Sequence, residues 1–189
     1  IYAPTIDSAL VNDTVWTSTI SSDAPVYQIA GLLKYPPETK DLSVAEGGTL
    51  EFYDSVQITF PPNACKGAVA DIVHVEVDYL KSKGDMVRFL RPTVSNGRLL
   101  ESGGAFNIRV LQNGKALEMA DLAYIALKYK TKTTDPGMQL FYGDTTNTGS
   151  SNFNWELADT SFISTFTEED TAGISVGYAI LSNKFDWIN

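Results

Sequence analysis

The 189 residues carry 14 Lys and Arg against 23 Asp and Glu, a formal net charge of -9 that repels a phosphate backbone and argues against nucleic acid as a partner. An apolar fraction of 43% with 20% charged residues is that of a globular chain long enough for one ample core, which excludes wholesale disorder. The single cysteine and single histidine exclude an intrachain disulfide and a thiolate zinc site within one chain, and no apolar run approaches the roughly 20 residues that span a bilayer.

Period-two alternation recurs along the chain and no long stretch keeps a helical period, so the predicted fold class is all-β: an antiparallel β-sandwich with additional C-terminal strands. Residues 1–46 are assigned to peripheral strands, 47–143 to the sandwich core, and 144–189 to the C-terminal strands or the start of a second module. Within residues 47–64, Leu50 and Phe52, then Val56, Ile58 and Phe60 beyond a polar corner at Asp54 and Ser55, share one parity. Pro61 and Pro62 remove ladder donors and end that strand pair. From residue 69 to 80, Val69, Val73, Val75, Val77 and Tyr79 face inward, while His74, Glu76 and Asp78 face water.

Residues 81–85, around Gly84, read as a hairpin with lysines at an exposed tip. Asn96-Gly97 and Asn113-Gly114 are stronger hairpin signals, because both positions of a tight primed turn need positive φ. Phe106, Ile108 and Val110 alternate with Asn107 and Arg109, and Ile125, Leu127 and Tyr129 alternate with Tyr124, Lys128 and Lys130. The polar run 144–152 reads as a surface loop or module boundary. Alternation resumes at Phe153, Trp155 and Leu157 and again at Ile174, Val176, Tyr178 and Ile180. The predicted core is Phe52, Ile58, Phe60, Val73, Val75, Val77, Phe106, Ile108, Val110, Ile125 and Leu127. The aromatic close at Phe185, Trp187 and Ile188 leads us to expect that the native chain continues, with Trp187 packing against residues beyond Asn189.

Gly47, Gly48 and Leu50, followed by Val56-Gln57-Ile58-Thr59-Phe60-Pro61-Pro62-Asn63-Ala64, resemble the opening of the all-β domain shared by ankyrins, netrin receptors and zonula occludens scaffolds. Gly84-Asp85-Met86, Pro92-Thr93, Ser102-Gly103-Gly104 with Phe106 and Ile108, Gly114, Leu117, Pro136-Gly137-Met138, Leu140-Phe141, Trp155 and Trp187-Ile188-Asn189 are similar, in the same order, to motifs of uncharacterised Bacteroidetes surface lipoproteins. That resemblance implies an extracytoplasmic, noncatalytic sandwich, attached to the cell surface or outer membrane only through a lipid anchor absent from this chain.

The chemistry-bearing residues point the same way. A Cys65–His74 dyad needs hydrogen-bond reach and a thiolate-favouring environment, and a solvated strand histidine is the simpler reading of His74. Glu76 and Asp78 form the one acid pair that leaves a glycosidase open, although alternate positions on a strand read better as a solvated face. The acidic run Glu168, Glu169 and Asp170 and the loop carrying Asp144, Asn147 and Asn152 are oxygen-rich but lack calcium-loop spacing, so no metal and no cofactor is expected. No G-x-S-x-G nucleophile elbow, P-loop or H-E-x-x-H site is expected. Exposed aromatics remain: Tyr124, Tyr142 and Trp16 are the candidate ligand-binding residues, because sugar rings stack on such faces. The preferred function is a surface module for protein interaction or structural support, docking a protein partner or neighbouring domains. A glycan-binding sandwich is the alternative, and a glycoside-active enzyme ranks third.

Overall fold

The computed structural model describes residues 33–53, 55–144, 153–159, 162–171 and 173–189. They form two antiparallel sheets packed face to face. The first sheet runs β1 (Glu38–Ser43), β5 (Ile72–Leu80), β8 (Ala105–Gln112), β16 (Trp187–Ile188), β12 (Phe141–Gly143) and β13 (Trp155–Leu157), with β9 (Lys115–Ala116) added to β8. The second runs β14 (Phe162–Asp170), β15 (Gly173–Ser182), β11 (Ile125–Thr131), β3 (Val56–Phe60) and β2 (Gly48–Phe52). Two short ladders, β4 (Cys65–Lys66) with β10 (Glu118–Met119) and β6 (Val94–Ser95) with β7 (Arg98–Leu99), complete it.

The alternation predicts the interior closely. All eleven expected core residues are buried, those of the first sheet meeting those of the second in one apolar cluster. Register explains why: Val75 pairs with Val110 and Val77 with Ile108, so neighbouring strands present branched side chains to the same face. Asn96 and Gly97 (φ 48° and 78°) close the β6–β7 hairpin and Asn113 and Gly114 (φ 51° and 74°) close β8–β9, as the turn chemistry requires. At Gly47 (φ 66°) a Cβ would stand 2.4 Å from the Phe60 carbonyl oxygen, so only glycine lets the chain enter β2 there.

Four expectations are corrected. Residues 81–85 are not a hairpin: they open the helix α1 (Lys83–Arg88), capped by Ser82, whose hydroxyl accepts from the Asp85 N–H while the Asp85 carboxylate accepts from the Ser82 N–H. The serine and acid three residues apart outweigh the turn signal of Gly84. Val69 precedes β5 and is 85% exposed, because the strand begins only at Ile72. Asp78 is not on a wet face but 5% exposed, accepting a 3.0 Å hydrogen bond from Asn107 on β8. Trp187 packs within the chain: β16 inserts between β8 and β12, and the indole is buried against Phe89, Phe153 and Trp155.

Candidate binding surface

Outside the shared core, the two sheets treat their outer faces differently. On the first sheet, Leu80, Ala105, Trp155 and Trp187 carry a second apolar cluster, roofed by Met86 of α1 and by Phe89, the residue that caps its C-terminus. The Arg91 guanidinium closes it, stacked 4.4 Å from the Phe153 ring centre and 4.9 Å from that of Trp187. Its Nη1 donates to the Leu90 carbonyl, while its buried Nε has no hydrogen-bond partner among the described residues; burial, chiefly, pulls its pKa down. The indole N–H of Trp155 donates to the Pro92 carbonyl at 2.9 Å. This face is filled by the protein's own segments.

The rest of that face is a row of satisfied polar groups. Cross-strand pairing sets His74 opposite Asp41, with Nδ1 2.6 Å from the carboxylate, and Glu76 opposite Arg109 at 2.8 Å. His74 therefore stands where the sequence puts it, on an exposed strand face, with a partner that spacing alone does not reveal. Glu76 and Asp78 are separately engaged, by Arg109 and Asn107, and Asp78 lacks the access an acid pair needs. Cys65 lies in the core cluster, where burial pushes its thiol pKa up, while His74 lies on the outer face of the first sheet. The two are not brought together, and the cysteine environment opposes a thiolate.

Residues 173–177 spell G-x-S-x-G, a string the sequence reasoning missed. Ser175 sits inside the antiparallel strand β15 rather than on a strand-to-helix turn, and its hydroxyl donates to the Glu168 carbonyl at 3.4 Å. It is no nucleophile elbow. Glu168 is committed to an ion pair with Lys128, and Asn147 and Asn152 lie outside the described residues. Among the described residues no three His, Cys, Asp or Glu side chains gather as a metal site.

The outer face of the second sheet is the open surface. Its central positions are small: Thr59 on β3, Ala126 on β11, Ala179 and Gly177 on β15, and Ser164 on β14 lie in adjoining register. They leave a shallow trough of about 230 Å³, with Phe162 and Leu181 along it at 72% and 42% exposure. Tyr124 precedes β11 on the same parity and is 42% exposed. One end is closed by Phe166, which crosses Gly177 so closely that an added Cβ would lie 2.6 Å from its ring, and Lys128 Nζ sits 4.3 Å from the centre of that ring. The outer edge of β14 has no further strand beside it among the described residues.

Of the two aromatic candidates among the described residues, Tyr124 alone lies on an open face. Tyr142 is 7% exposed, its hydroxyl hydrogen-bonded to Ser182 and Asn183 and its ring covered by Lys184, so it offers no stacking face and is withdrawn as a ligand platform. Its three-residue strand is too short to show its parity in the sequence. Trp16 lies outside the described residues. Phe162 and Leu181, which the sequence reading did not select, flank the trough; their signal, an apolar residue opposite an apolar residue, exists only once β14 and β15 are in register. No helix among the described residues is long and apolar enough to cross a membrane. No family model, curated protein or solved structure matches the chain.

Proposed function

We propose that this chain is a noncatalytic surface module that docks a protein partner on the outer face of its second sheet. The observation carrying this reading is the trough itself: apolar side chains at Phe162 and Leu181 exposed along a floor of small residues, beside a strand edge whose backbone is unpaired by a further strand among the described residues. A protein segment laid along β14 gains main-chain hydrogen bonds from the edge and apolar burial from the face. The Lys128–Glu168 pair supplies a polar rim that fixes register. The ordered resemblance to surface lipoproteins supports an extracytoplasmic placement for the module, with attachment through a lipid anchor.

A photo-crosslinking residue at position 181 tests the docking face against the exported proteins of the native cell. One partner crosslinked from position 181, lost with Phe162→Lys and retained with Val87→Lys on the opposite side, is the expected result. Crosslinks equally frequent from both faces, or unchanged by Phe162→Lys, would refute it. Cell fractionation of the native protein tests the placement, and recovery in the cytoplasmic fraction overturns it. The glycan reading keeps Tyr124 as its single described platform; saturable binding on a glycan array that Tyr124→Ala abolishes would replace the protein-docking reading.

A further inference from the structure

We propose that the docking partner is a second copy of this chain, the two β14 strands pairing antiparallel about a two-fold axis at Ser164, an assignment that rests on the docking reading of the open face. A strand that ends a sheet invites pairing with other chains, and natural sheets blunt such edges with charge, shortness or a bulge. Three of the four strands that end the two sheets are blunted in this way. β1 carries Glu38, Lys40 and Asp41, β2 has five residues with Glu51 among them, and β13 has three residues with Glu156 at its centre. β14 is not blunted: it runs nine residues, pairs with β15 position for position without a bulge, and carries neither charge nor proline over Phe162-Ile163-Ser164-Thr165-Phe166-Thr167. With Phe162 72% exposed on it, this is an edge that asks for a cover.

The strand is complementary to itself. Antiparallel pairing centred on Ser164 sets Phe162 of each copy opposite Phe166 of the other, so two aromatic pairs form on the outer face. The cross-strand row Ala126, Leu181, Phe162 then continues into Phe166 and Gly177 of the second copy, and the two troughs join. Charge selects this register over its rivals. Parallel pairing in register would bring the two Glu168-Glu169-Asp170 runs side by side at about 4.8 Å, and antiparallel pairing centred on Phe166 would set Phe162 against Asp170 and Ile163 against Glu169. With the axis at Ser164, the two Glu168 residues stand eight positions apart along the strands, about 27 Å at roughly 3.4 Å per residue and about three Debye lengths at physiological salt. A chain of net charge -9 thus meets its copy with the acids held apart. The five-residue overlap, Phe162 to Phe166, is far short of the roughly 20–30 residues a side of a standard interface, so the dimer is weak, with a Kd on the order of 10 µM.

Analytical ultracentrifugation of the full chain from about 1 to 500 µM tests the assembly, and a monomer–dimer equilibrium within that range is expected. Ser164→Lys sets two like charges face to face on the axis and should weaken the dimer at least about tenfold with an unchanged urea midpoint, whereas Val87→Lys should leave it as it is. Ser164→Cys reads the register. Directly opposed residues of an antiparallel pair lie about 4.5–5.5 Å apart at Cα, within disulfide reach, so this variant should form a covalent dimer in air, while Ile174→Cys, exposed but away from the axis, and the wild-type chain with its buried Cys65 should not. A dimer that a folded Ser164→Lys variant retains, or covalent dimer forming as readily from Ile174→Cys, would overturn the pairing. So would a chain that stays monomeric throughout, including one whose β14 amides resist hydrogen exchange because another segment of the same chain covers them. If the chain is monomeric yet a different exported protein is still captured from position 181, the second copy fails and the docking face stands; a monomer that captures nothing sinks both.

Discussion

Each sheet uses the same device on its outer face and reaches an opposite result. On the first, Phe153 crosses Gly143, where an added Cβ would lie 2.5 Å from its ring; on the second, Phe166 crosses Gly177 at 2.6 Å. In both, a glycine without a side chain lets an aromatic ring lie across the sheet. The two faces differ in the company each ring keeps. Phe153 is joined by Trp155, Trp187 and Arg91 and roofed by α1, so the face becomes a second core. Phe166 is met only by Lys128 among the ring contacts described, and the neighbouring positions are Ala, Ser, Thr and Gly, so the face stays open. A filled outer face stabilises the fold; an unfilled one, carrying exposed Phe162 and Leu181, is available to another molecule.

Raising the pH attacks the phenols packed into the two clusters, Tyr35 against the second and Tyr79 and Tyr129 within the shared core, with the largest expected effect. Burial, with smaller help from Asp85, Tyr53 and Asp78, pushes the Tyr35 phenol from 10 up to about 12. Burial pushes Tyr129 and Tyr79 up as well. The folded chain then holds protons that the unfolded chain releases, so this stability is fully present below pH 10 and is lost as pH rises from 10 toward 12. Circular dichroism should report cooperative unfolding in that window, with phenolate absorbance of the native chain lagging that of the urea-denatured chain. Phenolate absorbance that coincides in the two states while the strand signal persists would refute the claim.

Trp155→Ala separates the faces by striking the filled one. A fully buried indole that also donates to Pro92 leaves both a cavity and an unsatisfied carbonyl, costing about 3–5 kcal/mol in urea unfolding at constant m. A loss below about 1 kcal/mol would mean that the second cluster is not a core. Gly177→Ala acts next, on the open face. The new methyl meets the Tyr129 carbonyl oxygen as well as Phe166, and overpacking of this kind costs about 1–3 kcal/mol. Ser82→Ala removes the α1 cap that holds Met86 and Phe89 over the first sheet, and about 1 kcal/mol is expected.

Much of this contrast was legible in the chain, and the remainder was hidden for identifiable reasons. Val73, Val75 and Val77 announce a half-buried strand because side chains alternate by two, and Asn96-Gly97 and Asn113-Gly114 announce turns because their φ values are restricted. The helix α1 was missed because six residues are too few to show a helical period, although Ser82 and Asp85 carry the capping signal. The place of β16 was invisible because its partners, β8 and β12, are distant in sequence and only two of its residues pair. Asp78 looked wet by parity, and only the overlying residues of the folded chain bury it. The trough depends on small residues and a glycine meeting across strands, information that resides in register rather than in any one segment.

The smallest expected effect carries the sharpest test of the open face. Phe162 is 72% exposed at the start of β14, opposite Leu181, itself 42% exposed, so replacing it removes little surface that folding had buried. Phe162→Lys should therefore change the urea stability by less than about 0.5 kcal/mol, as surface substitutions do. A lysine on an edge strand also discourages pairing with other chains. The same change should abolish partner crosslinking from position 181, because it places a hydrated charge where apolar burial is needed. Stability and docking thus part company at Phe162, whereas at Trp155 stability falls outright. A Phe162→Lys variant that loses more than about 1 kcal/mol, the scale of a real burial defect, would show that this ring is covered in solution and that the second sheet, like the first, fills its own outer face.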